Sequence, residues 1–240
     1  RRGEDPSVIL EQTERLDPDA LTLGFARRFA TYKRAPLIFT DKDRLAKLIA
    51  NADRPVQLIF AGKAHPRDTA GQAFAQKIHK LSRDKRFAGR VVLLEEYDME
   101  IGRTLTSGVD VWLNTPLRPH EASGTSGMKP PMHGGLNCSI LDGWWCEGYD
   151  GVNGWAIGDE EEQYTSQRQQ DLADAASLYE LLETEIVPEF YATNRQGLPL
   201  KWIKRALRSA ATVPDYFNTH RMVGEYVDWL YKPGHVTSAD

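Results

Sequence analysis

Cysteine is scarce: the 240 residues include only Cys138 and Cys146. The two do not form a Cys-x-x-Cys pair and have no histidine at finger spacing, so a disulfide framework and a zinc site are both unexpected. The six histidines include no i, i+4 pair, and no metal ligation is expected. No apolar run approaches the ~20 residues that a spanning helix needs, so no membrane partner is expected. Positive charge is not in excess. Thirty Lys and Arg stand against 34 Asp and Glu, a formal net charge of −4, which gives no basic field to draw nucleic acid. There is no internal repeat and no low-complexity tract. The chain starts Arg1-Arg2-Gly3-Glu4-Asp5 without an initiator Met, and no signal peptide is expected. A cytoplasmic setting is expected, and a fragment of something longer or a processed chain.

With 41% hydrophobic and 27% charged residues, the chain can bury a proper core in one large or two small domains. Residues 1–20 read as a linker or a solvated N-terminal helix, and 21–240 as the folded domain with its C-terminal helices. Apolar runs predict strands at 21–26, 56–62, 91–94, 109–113, 136–140 and 154–158. Helical periodicity predicts helices at about 42–50, 67–82, 166–186, 200–211 and 216–230, and a short one after the third strand. Residues 144–149 read as a turn-rich aromatic segment, and the acidic run 159–162 as a solvated loop. Strands alternating with helices, with runs such as Val91-Val92-Leu93-Leu94, predict a Rossmann-like α/β domain around a parallel sheet.

Ligands of such sheets bind at the carboxyl ends of the strands. Arg28 and Lys33 follow the first strand. Glu95, Glu96 and Tyr97 follow the third, and the loop from Glu121 to Lys129 follows the fourth. That loop is rich in hydroxyls and glycine and runs into Pro130-Pro131, tolerated only in the first turn of a helix or outside one. It therefore predicts a helix N-terminus with exposed N–H groups, a place for an anion. Arginine offers a planar fork to phosphate oxygens and lysine a point charge. Taken singly, each feature is ordinary: solvated acids, turn glycines, a core tyrosine, and His120 and His133 as packing residues. Their shared edge of the sheet is what points to a site for a phosphate-bearing ligand and a hydroxyl-rich partner.

The stretch Glu121-Ala122-Ser123-Gly124-Thr125-Ser126-Gly127-Met128-Lys129 resembles the pyridoxal-phosphate segment of the α-glucan (glycogen, starch, maltodextrin) phosphorylases, Glu-Ala-Ser-Gly-Thr, two small or polar residues, Met-Lys. Arg27-Arg28-Phe29-Ala30-Thr31-Tyr32-Lys33-Arg34 is similar to that family's Lys-Arg-x-x-x-Tyr-Lys-Arg, and Glu95-Glu96-Tyr97 to its Glu-Asn-Tyr. Gly62-Lys63-Ala64 also resembles a family loop. The likeness spans about residues 21–160. It departs at Arg27 for Lys, Ala30 for His, Thr31 for Glu, and Ser126-Gly127 for Gly-Asn; Ala30 puts any role of that His in doubt.

The resemblance implies the C-terminal, cofactor-carrying half of a GT-B fold, with the N-terminal domain of a parent chain as partner. Homo-oligomerisation is left open. Lys129 would carry pyridoxal phosphate covalently. Thr125, Ser126 and Gly127 would hold its phosphate through backbone N–H groups, with Arg27 nearby and Tyr97 beside the cofactor. Arg28 and Lys33 would hold inorganic phosphate. Glu121, with the backbone around Ser123 and Gly124, would bind terminal glucose hydroxyls of an α-glucan. The implied reaction is reversible phosphorolysis to glucose 1-phosphate, with the isolated domain inactive. The alternatives are a sugar-nucleotide-dependent retaining glycosyltransferase of the same fold and a non-catalytic half-domain. Such transferases carry a second Glu eight residues after the first, where this chain has Lys129, and only a lysine can condense with an aldehyde.

Overall fold

The computed structural model describes residues 16–159 and 162–232. The linker or helix expected over 1–20 lies outside that range except for 16–20, which are irregular. Residues 160 and 161 of the acidic run also lie outside it.

Six strands form one parallel sheet: β1 Leu21–Ala26, β2 Val56–Ala61, β3 Val91–Leu94, β4 Val111–Asn114, β5 Leu136–Ile140 and β6 Gly154–Ile157. Their order is β3-β2-β1-β4-β5-β6, the Rossmann-like arrangement expected. Every residue of β1, β4 and β5 is buried, as a parallel sheet covered on both faces requires. Phe25, Phe60, Ile78 and Leu178 belong to the core on one face, and Ala26, Ala61, Leu105 and Trp112 pack on the other.

The helices begin where short polar side chains can cap them. α1 (Lys42–Ile49) is capped by Asp41, α2 (Thr69–Ser82) by Asp68 and α3 (Met99–Gly108) by Asp98, each accepting from the N–H three residues on at 2.8–2.9 Å. The cap at Asp68 is why α2 starts two residues later than its periodicity suggests. α4 is a single turn, Trp145–Gly148, inside the aromatic segment. α5 (Gln167–Leu181) is capped by Ser166 and runs through a π turn, Leu182–Ile186, into α6 (Val187–Tyr191). α7 (Leu200–Tyr216) is longer than expected and runs past Pro214. α8 (Thr219–Tyr226) is capped by Asn218 and ends in a π turn, Val227–Tyr231.

Two expectations are corrected. The fourth strand starts at Val111, because the Val109 N–H closes α3 on Leu105 O at 3.2 Å. The helix expected after the Glu121–Lys129 loop is two short 3-10 turns, Thr125–Met128 and Pro130–His133. Pro130 and Pro131 supply no N–H to continue a helix backwards. Gly134, at φ 86°, ends the second turn one residue before Gly135 leads into β5. Turns this short carry little dipole, so attraction for an anion there falls to side chains and single N–H groups.

Candidate active site

The strand order reverses between β1 and β4, and the crevice outside their carboxyl ends is where such sheets take ligands. β1 delivers Arg27 and Arg28 there, and β4 leads to Glu121. Arg27 is buried, and its Nη2 donates to Glu121 Oε2 at 2.5 Å. Lys33 Nζ stands 3.6 Å from the same oxygen. Arg28 is exposed beside them. Ala26, Arg27, Arg28, Lys33, Glu121 and the 123–126 turn enclose a cavity of about 350 Å³.

The loop carrying Lys33 is fixed by Arg34, which no sequence argument singled out beyond its place in the motif. Arg34 has left-handed backbone (φ 46°), and its buried guanidinium donates to Thr115 O, Pro116 O, Asp171 and Asp174 at 2.6–3.0 Å. The Leu117 N–H donates to Tyr32 O at 2.6 Å. Exit of β4 and loop after β1 are thereby one unit, which sets the Lys33–Glu121 separation. Burial pushes the Asp174 carboxyl up, against the pull of Arg34.

A second support comes from the corner after β5. Asp142 accepts from the Glu121 and Gly143 N–H groups, each at 2.9 Å, and the Trp144 N–H donates to Ser123 O at 2.8 Å. Burial raises the Asp142 carboxyl, and the two N–H bonds oppose that. Gly143 has φ 59°, and a Cβ there would lie 2.4 Å from Ser123 O. Asp-Gly is a turn signal in the sequence, but its service to a loop 20 residues earlier is visible only in three dimensions.

Across the 123–126 turn lies a second cavity, about 600 Å³, lined by Tyr97, Gly102, Trp112, Ser126, Lys129 and His133 among others. Ser126 borders both cavities. Lys129 is exposed and makes no ion pair among the described residues. Tyr97 is half-buried against Trp112 and Ile101. Gly127 is buried, its N–H is bonded to Gly124 O at 3.2 Å, and its carbonyl accepts from Asn137 Nδ2 at 2.8 Å. A Cβ on Gly127 would come within 2.8 Å of Asn137 Oδ1, so this glycine is required by packing, and its N–H is already engaged. His120 is exposed outside the cavities, and His133 is exposed on the rim of the second. A further cavity, about 650 Å³, lies off the crevice at the ends of β2 and β3 between Lys63, Gln72 and His79. Of the motif residues it holds Phe29, Gly62, Lys63, Ala64, Glu95 and Glu96.

Two buried polar atoms at the first cavity lack partners, Arg27 Nη1 and Ser126 Oγ. Buried donors are seldom left so, and both suit the oxygens of a phosphate group. A lysine amine one turn away suits the aldehyde of the same molecule. The residues present therefore fit pyridoxal phosphate.

The crevice brings two cations and an acid together, and across the 123–126 turn stands a lysine with no ion pair among the described residues. The family profile for carbohydrate phosphorylases matches residues 7–189, and the chain belongs to that family. It is 51% identical to the maltodextrin phosphorylase of Thermococcus litoralis over 93% of this chain and 26% of that protein. It is 46% identical to the glycogen phosphorylase of Aquifex aeolicus over 95% and 32%. With the glycogen phosphorylase of Mycobacterium tuberculosis the identity is 45%, over 90% and 25%. The chain spans about a quarter to a third of the length of these curated relatives.

Proposed function

We propose that this chain is the cofactor-carrying half of an α-glucan phosphorylase with a GT-B fold. The observation that carries the reading is the meeting of two cavities at Ser126, one walled by Arg27, Arg28, Lys33 and Glu121, the other by Lys129 and Tyr97. Lys129 would hold pyridoxal phosphate through its amine. When bound, that group supplies a second phosphate beside the substrate's.

Ser126 and the backbone of Thr125 hold the cofactor phosphate with Arg27, whose second Nη awaits an acceptor. Gly127 acts by letting the turn close, since its own N–H is engaged. Tyr97 flanks the cofactor ring. Arg28 and Lys33 hold inorganic phosphate. Two unit negative charges 4 Å apart repel by about 4 kcal/mol at an effective dielectric of about 20, so cations must be built in to keep two phosphates close. Glu121 and the backbone at Ser123 and Gly124 take glucose hydroxyls. Inorganic phosphate passes a proton to the glycosidic oxygen as its bond to the anomeric carbon breaks. A phosphate oxygen then bonds to that carbon on the same face, giving glucose 1-phosphate and a shortened α-glucan. No carboxylate pair of the glycosidase kind is needed.

The N-terminal domain that completes the cleft is the expected partner, the cytoplasm the expected setting, and the isolated chain is expected not to turn over. The test is a chimera in which this chain replaces the matching segment of the Thermococcus litoralis maltodextrin phosphorylase. It should release glucose 1-phosphate from maltodextrin and phosphate, and its Lys129→Ala variant should not. A folded chimera that is inert, or one that needs no Lys129, would refute the reading.

A further inference from the structure

Trp112 is the largest side chain on its face of the sheet that also reaches the Lys129 cavity. It lies on β4, opposite Gly24 of β1 in the register, and is fully buried. Among its neighbours on that face Ala26 and Ala61 are small, and Val109 packs over Gly24. Tyr97 and Ile101 pack against the same cluster, and the cavity wall includes Trp112, Tyr97, Ser126 and Lys129.

The indole N–H of Trp112 is buried and has no partner among the described residues. That is unusual, because a buried tryptophan ordinarily finds an acceptor. In this chain Trp145 donates to Trp155 O at 3.2 Å and Trp155 to Glu185 at 3.1 Å. Trp144 also lacks an acceptor, but it abuts Gly127 and is not part of the cavity wall. Trp112 lines that cavity, and its buried N–H lacks an acceptor among the described residues, so a ligand seated against the indole can supply one.

Resting on the function proposed above, we propose that Trp112 is a ligand-binding residue of this site. Its indole N–H donates to an acceptor atom of the flat aromatic aldehyde that Lys129 captures. The donor is neutral, so it selects an aromatic ring bearing a polar substituent without adding to the phosphate attraction. The aromatic wall of Trp112 and Tyr97 favours a planar ligand by packing, and the N–H fixes its orientation.

The 240-residue chain and its Trp112→Phe variant are titrated with pyridoxal phosphate, following the absorbance of the adduct. Trapping at Lys129 is then checked by borohydride reduction and peptide mass. The variant should still be modified at Lys129, with a Kd about tenfold higher, the loss expected for one ligand hydrogen bond, and a displaced absorbance band. A folded variant with unchanged Kd and band overturns the proposal. Should Trp112→Phe fail to fold, the wild-type chain labelled with 15N-tryptophan carries the test. It has six indole N–H groups, and saturation with pyridoxal phosphate should move a signal downfield; six unmoved signals overturn the proposal. If the wild-type chain captures nothing at Lys129, the reading of the function falls along with it, whereas capture with an indifferent Trp112 removes only this inference.

Discussion

Glu121 Oε2 receives Arg27 Nη2 at 2.5 Å and lies 3.6 Å from Lys33 Nζ, so one carboxylate serves as counter-ion to the two cations that the proposed function gives to phosphate. An arriving phosphate competes with that acid for the same positive charge. Replacing it as Glu121→Gln leaves a buried guanidinium without its charge partner, which costs about 3 kcal/mol. The expected result is a lowered Tm that inorganic phosphate partly restores, with tighter phosphate binding by calorimetry than in the wild type. Phosphate binding no tighter than wild type would remove the competitive role.

Gly143 is where the corner after β5 touches the loop that carries the acid. Its φ of 59° and the 2.4 Å approach of a Cβ to Ser123 O leave no place for a side chain. Gly143→Ala should destabilise the chain by about 2 kcal/mol through strain and overpacking. In the chimera it should also raise the KM for glucan. Loss of stability without any change in KM would show that the 121–124 loop is positioned otherwise.

Asp142 gives a pH signature. Burial holds its carboxyl above the ordinary 3.8, so the folded chain takes up this proton more readily than the unfolded chain does. That favours folding fully below 3.8, and the advantage is lost as pH rises through the folded-state value. Asp142→Asn abolishes this dependence and retains one of the two N–H acceptors. The variant's deficit in urea-melt stability should therefore be largest near pH 3.5 and shrink as pH rises above 3.8. A deficit independent of pH would contradict the assignment.

Arg34 ties the loop that carries Lys33 to α5 through Asp174 at 2.6 Å, both side chains being buried. Asp174→Ala leaves Asp171 as the remaining carboxylate and should cost about 3 kcal/mol. In the chimera the KM for phosphate should rise more than the KM for maltodextrin, since Lys33 is the group left loose. Equal changes in the two constants would make the clamp merely structural.

The sheet was legible because continuous apolar runs such as Leu21–Ala26 and Leu136–Ile140 have no other stable use, and the alternation with helices dictated parallel strands. The motif residues were legible by their types and by their common edge. The 3-10 turns at 125–133 were not, since local signals for a helix start are the same whether a helix follows or Pro131 and Gly134 cut it short. Gly127 was read as a phosphate donor, but its N–H closes the turn on Gly124. Asp142 acts on a residue 21 positions away and Arg34 on residues 81 to 140 positions away, and no local pattern encodes such pairings.

The account stands most directly on the chemistry of Lys129. The chain is incubated with pyridoxal phosphate, reduced with borohydride, digested and weighed. The expected result is one added pyridoxyl-phosphate group, on the peptide that contains Lys129, and none in Lys129→Ala. Modification spread over surface lysines with Lys129 untouched would contradict it.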